Sequence, residues 1–188
     1  MDGTGAASGT APQMFRVFPI MRALHELLAY LAEALTQPAA RPLQHERTLA
    51  LDDTERLTQL ESEEILNVDL AAQRGTINRL LLRTSELVRA EVPGPTEDHR
   101  GADLMGAKLQ GADLREATQR GATQRGATLI AADLRGADLR IAVLIGADLR
   151  GSIFLTQSQV NAAKGYHATR LNPSLGRPSH WSSARPQR

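Results

Sequence analysis

The sequence predicts a chain of mixed α and β structure, with helices in its first half and a coil of short stacked sides in its second. Three observations carry this expectation. Apolar residues recur at helical spacing between residues 18 and 91, a five-residue period runs from Ala102 to Thr156, and the net charge changes sign at mid-chain. Residues 1–100 hold 10 Lys/Arg against 15 Asp/Glu, whereas residues 101–188 hold 12 against 6. The expected organisation is a disordered stretch 1–13, a helical region 14–92, a linker 93–101, the repeat 102–156, and a cap helix with a basic tail over 157–188.

The Gly/Ala/Ser/Thr-rich start carries too little apolar surface to fold. From Phe18 to Leu35, the residues Ile20, Leu24, Leu27, Leu28, Leu31 and Leu35 mark one helical face, and Gln37 with Pro38 ends it. A charged helix is expected from about Asp52 to Leu66, with Leu57, Leu60 and Ile65 inward. A third is expected from about Val68 to Glu91, with Ile77, Leu80, Leu81, Leu87 and Val88 inward. Pro93, Gly94 and Pro95 then break the chain.

Eleven quintets follow, from ADLMG to SIFLT. Their first position is Ala in ten and Ser152 in the last; their third is Leu104, Leu109, Leu114, Leu129, Leu134, Leu139, Leu144 or Leu149 in eight. Gln119, Gln124 and Phe154 fill the third position elsewhere. A period of five gives no stripe on an α-helix and flips faces on a strand, so it fits neither. It fits short straight sides joined by corners, with Ala and Leu inward and polar positions outward. Coils then pair backbone with backbone at about 4.8 Å, which satisfies otherwise orphaned amides.

ADLRG and its variants resemble the pentapeptide-repeat family. That resemblance implies a right-handed, four-sided parallel β-helix, with one quintet per side and about twenty residues per coil. It implies a register that stacks Leu109, Leu129 and Leu149 on one side, and Leu114, Leu134 and Phe154 on another. The stretch from Phe154 to Trp181 also resembles the tail that follows the repeats in actinobacterial members. Gln119 and Gln124 stand in the core register, where an unpartnered amide costs roughly 1–3 kcal/mol; a tolerated defect and a ligand site are the two readings.

Open coil ends expose Leu and unpaired amides, so both need covers. The Val68–Glu91 helix is expected near Leu104 and Leu109. Thr156 and Gln159 have capping-box spacing, so a helix over Gln157–Lys164 is expected near Leu144, Leu149 and Phe154, with Gly165 as its C′ residue. The basic residues Lys164, Arg170, Arg177, Arg185 and Arg188 read as a solvated tail.

Composition excludes several chemistries. Cysteine is absent, so disulfides and thiolate sites are ruled out, and aromatic content of 3% disfavours base-stacking platforms. Neither a membrane-length apolar run nor a secretory leader is evident, and a cytoplasmic location is expected. The five His residues show no metal-ligand spacing. The G-x-x-x-x-G spacing at Gly101 and Gly106 is followed by Ala107 and Lys108, so it is a product of the repeat and not a phosphate loop. Asp103, Asp113, Asp133, Asp138 and Asp148 are expected to face solvent, mostly beside an Arg, with nothing to desolvate them.

No enzyme, cofactor or metal is therefore expected. The expected function is a non-catalytic scaffold for a protein partner that the sequence does not identify, without membrane or nucleic-acid binding; a homodimer stays open. The alternative is a DNA-mimicking gyrase-binding protein of the quinolone-resistance type. The balance of seven bases and six acids in the repeat opposes it. An enzyme in the helical half is the unsupported third reading.

Overall fold

A computed structural model of the chain describes residues 10–91, 106, 108–110, 112–115, 123–124, 126–129 and 131–181, with side chains from residue 13 onward. Residues 1–9, the linker 93–101, Leu104, Gln119 and residues 182–188 lie outside the described residues. Two compact units are present, Met1–Thr84 and Ser85–Arg188. None of the described helices is long and apolar enough to cross a membrane.

The first unit opens with α1 (Thr10–Leu35), which takes in residues 10–13 that composition had marked as disordered. The expected start at Phe18 would place Pro19 in the first turn, where proline fits. The helix instead runs through Pro19, giving up the hydrogen bond that its missing N–H would make. A 3-10 segment (Pro38–Leu43) leads into α2 (Gln44–Thr58). The single helix expected over 52–66 is two. The backbone N–H of Glu61 donates to Glu64 Oε2 at 3.0 Å and starts α3 (Ser62–Ile65) afresh. Asp69 accepts from the Ala72 N–H at 2.9 Å and so begins α4 (Leu70–Ala90).

Arg47 is the polar centre of this unit and nothing in the periodicity announced it. It is fully buried and donates to the carbonyls of Ala34, Ala40 and Leu43. Ala34 lies in the last turn of α1, where carbonyls lack helical partners and carry the negative end of the dipole. Burial lowers the Arg47 pKa from its ordinary value.

The second unit is coiled. Single parallel bridges join Lys108 to Thr128 and Thr128 to Asp148, Asp113 to Asp133 and Asp133 to Ile153, and Thr123 to Val143. Each step is twenty residues, and no side among the described residues extends into a strand. At the corners, the N–H of the first quintet residue donates to the carbonyl of the preceding third residue, as from Ala132 to Leu129 at 3.1 Å and from Ala142 to Leu139 at 3.0 Å. The residue before that N–H has positive φ, near 70° at Gly106, Gly126, Gly136, Gly146 and Gly151. A turn of type II needs that sign at its third residue, which is why glycine recurs there.

The coil outlasts the repeat. After α5 (Gln157–Ala162), Val143 bridges to Lys164 and Asp148 to Arg170, so the spacing grows to 21 and 22 residues. The solvated-tail expectation therefore fails for residues up to 181. Arg177 donates to the carbonyls of Tyr166 and Thr169, and its guanidinium lies 5.8 Å from the Trp181 ring centre. Asn172 donates to the Ser152 carbonyl at 2.7 Å, and Thr169 Oγ1 to that of Leu144 at 2.7 Å. Side chains thus satisfy edge carbonyls where no further coil exists.

Helix α5 carries the expected capping box: Gln159 accepts from the Thr156 N–H at 2.8 Å, and Thr156 Oγ1 accepts from the Gln159 N–H. Gln159 Nε2 also donates to the carbonyls of Leu134 and Ala137, each at 2.8 Å. The helix ends at Ala162, and Ala163 is extended, so Gly165 is not its C′ residue. Glycine is required there for space: a Cβ would sit 2.2 Å from the Trp181 ring. Gly165→Ala should displace Trp181 and lower the melting temperature; a calorimetric scan against the parent chain checks it.

Candidate functional site

The outward positions of the coil are where a functional surface can lie, because the inward ones are filled. Leu109, Leu114, Leu129, Leu134, Leu139, Leu144 and Leu149 are buried in one cluster with Val160, Ala163 and Trp181. Phe154 is buried but stands outside that cluster. Its backbone is left-handed, with φ of 59°, and the Arg135 guanidinium lies over its ring at 5.8 Å. Leu155 enters the core instead.

Asp at the second quintet position and Arg at the fourth share a face, because side chains alternate along an extended side. The geometry follows. Arg140 Nε donates to Asp138 Oδ1 at 2.9 Å, and Arg150 Nε to Asp148 Oδ1 at 2.9 Å. The backbone N–H of the same Arg also reaches the carboxylate, at 3.0 Å and 3.2 Å. Each Asp therefore holds its own turn, which is a structural role before any other. Arg150 keeps the Asp148 pKa down at about 2, with help from Arg170.

The side carrying Asp113 and Asp133 differs. Asp133 is fully buried, contrary to the expectation that every repeat Asp faces solvent. It accepts from the Arg135 N–H at 3.0 Å and from Ser85, and Arg115 Nε lies 3.7 Å from its Oδ2. Burial pushes the Asp133 pKa up, against the pull of these donors. Asp113 pairs with Arg115 and, at 3.3 Å, with Arg89. Burial works on Asp113 as well, but hydrogen bonds and charge from Arg115, joined by the Arg89 charge, hold its pKa below the ordinary value. The last turns of α4 thus touch this side through Ser85 and Arg89; Leu104, near which that helix was expected, lies outside the described residues.

Gln124 points inward and is fully buried, with neither amide atom hydrogen-bonded among the described residues. Lys108, Thr123 and Thr128 stand outward at the bridge positions. No cluster of three metal-ligating side chains occurs among the described residues.

Two outcomes follow from these environments. Gln124→Leu should raise the unfolding free energy by about 1–3 kcal/mol, because an unpaired amide gives way to an apolar group of similar volume; chemical denaturation measures it. The carboxylates divide in their pH dependence. The stabilisation from Asp148 is present above the ordinary carboxylate pKa and lost as pH falls through about 2. That from Asp133 is present below the ordinary value and lost as pH rises through its raised one. In melts from strong acid to neutral pH, Asp148→Asn should flatten the acid arm and Asp133→Asn the arm above the ordinary carboxylate range.

A family model for pentapeptide repeats matches residues 98–118 and 125–154, in eight copies. The unmatched gap holds Gln119 and Gln124. The protein named "Uncharacterized protein YybG" of Bacillus subtilis (strain 168) is 51% identical over 180 residues, covering 92% of this chain. This chain spans 64% of that protein's length. With the twenty-residue register and the in-phase Ala and Leu, the matched repeats show that this chain carries a pentapeptide-repeat region.

Proposed function

We propose that the repeat region winds as a right-handed, four-sided parallel β-helix and serves as a non-catalytic, cytoplasmic scaffold for a protein partner. Four quintets per twenty-residue step support the four sides. The engagement of Asp113, Asp138 and Asp148 by their own turns and guanidiniums, and of Asp133 by the Arg135 N–H, supports a non-catalytic role. The same pairing disfavours the gyrase-binding mimic, because carboxylates neutralised in place do not imitate a line of phosphates.

The observation that carries the scaffold reading is Ile141. It occupies the corner position that takes glycine in most quintets and Ala131 in one, with φ of 62°, and its side chain is 49% exposed. A left-handed backbone costs a residue with a Cβ about 1–2 kcal/mol, and β-branching makes it a true outlier. Its backbone N–H donates to the Ala162 carbonyl at 3.0 Å, while half of its side chain stays in solvent. Beside it, Val143 and Ile145 stand where the ADLRG pattern has Asp and Arg, and both are partly buried. A strained apolar corner on an otherwise charged coil is what a contact residue looks like.

Cross-linking in an extract of the native host, followed by mass spectrometry, tests this reading. Ile141→Gly should leave the melting temperature unchanged or higher while losing a partner that the parent chain retains. Identical partner sets for the two chains would refute the assignment.

A further inference from the structure

The first unit holds a trough that the repeat surface does not involve. Its walls are one face of α2, Glu46, Leu49, Ala50 and Asp53, and one face of α4, Thr76, Arg79, Leu80 and Arg83. Both sets follow the i, i+3, i+4, i+7 spacing of a single helix face. The helices run antiparallel here: Arg83 pairs with Glu46 at 3.0 Å, and Gln73 donates to Thr54 at 3.1 Å and to Asp53 at 3.3 Å. These polar ties close the trough at each end, leaving an apolar floor of Leu49, Ala50 and Leu80. The cavity measures about 510 Å³. That volume lies within the range of small-molecule sites.

The charges on its walls are unequally matched. Glu46 and Arg83 answer each other, and Asp53 is met by Arg56. Arg79 makes a hydrogen bond to Thr76 at 3.3 Å and has no ion pair among the described residues. Gly75 precedes it by one turn, and a Cβ added there would have the Arg79 guanidinium, at 4.0 Å, as its only near neighbour. Leu49 is 55% exposed on the open side of that floor, whereas the side chains its helix buries are Arg47 and Thr54.

From the apolar floor, the closed ends and the one unmatched cation, we propose that this trough binds a small amphipathic carboxylate. The apolar body lies on Leu49, Ala50 and Leu80, and the carboxylate meets the Arg79 guanidinium, which is built to hold two oxygens. The distance from Glu46 to Asp53 along α2 is about 10 Å at 1.5 Å per residue, so the ties admit a short chain or ring and exclude a long helix.

Octanoate is the probe, titrated into the full chain by calorimetry, with octylamine as the control of opposite charge. Octanoate should bind saturably with Kd near or below about 1 mM, and octylamine should not. Arg79→Gln should weaken octanoate roughly tenfold and Arg79→Lys much less, because the lysine keeps the charge. Leu49→Asn should weaken it too. Both positions are exposed, and melting curves of the variants verify that they fold. Absence of saturable binding, equal binding of octylamine, or octanoate binding indifferent to Arg79→Gln would each overturn the proposal. Sedimentation covers the rival occupant, a second copy of the chain. A dimer that Leu49→Asn breaks and octanoate does not displace would likewise overturn it.

Discussion

Backbone hydrogen bonding between chain segments twenty residues apart is the constraint on which the second unit rests. Sides too short for a strand leave their amides unpaired unless the next coil arrives in register. The observed pairs are tight: Leu109 N–H to the Thr128 carbonyl at 2.8 Å and Leu129 N–H to that of Asp148 at 2.8 Å. Within the repeat a slip of one residue would turn Leu outward, so the spacing stays at twenty. The quintet follows from this. A corner needs a left-handed residue, so glycine recurs at the fifth position; the tight turn beyond it leaves room for alanine; and the third position must fill the axis, so it is leucine.

The same constraint explains what happens where the quintet ends. Beyond Thr156 the sequence has no repeat, yet Lys164 and Arg170 still bridge to the coil below. The register loosens to 21 and 22 residues, and side chains replace backbone as partners. Gln159, Thr169, Asn172 and Arg177 each reach a carbonyl that a further regular coil would have served. The closing segment is therefore an irregular coil and a lid together.

What the sequence made legible was whatever repeats or sits next to its partner. The in-phase Leu residues, the turn glycines and the Thr156–Gln159 box are local signals, and each found its place. Contacts between distant segments left no such trace. Arg47 reads as one more surface charge of an amphipathic helix, since its partner carbonyls come from Ala34 and Ala40, which show no pattern. Asp133 shares its ADLR run with Asp138 and Asp148; the approach of Ser85 and Arg115 separates it from them. The α2–α3 break was masked because Leu57, Leu60 and Ile65 keep helical spacing across it. Phe154 fits the third position by size but not by backbone, and nothing in SIFLT predicts its left-handed turn.

The charge asymmetry of the two halves is answered only in part by local contacts. An excess of bases over residues 101–188 suggests a field that would draw in an anionic partner. Among the described residues, several of those bases are engaged at short range. Arg115, Arg140 and Arg150 close on their own Asp, Arg170 adds to Asp148, and Arg177 turns to carbonyls and the Trp181 ring. Pairs at such distances cancel well inside a Debye length of roughly 8 Å. Each pair removes one base and one acid, so the excess of 12 bases over 6 acids stays with this half of the chain. The pairing therefore fixes where the charge sits along the coil, and not how much of it there is.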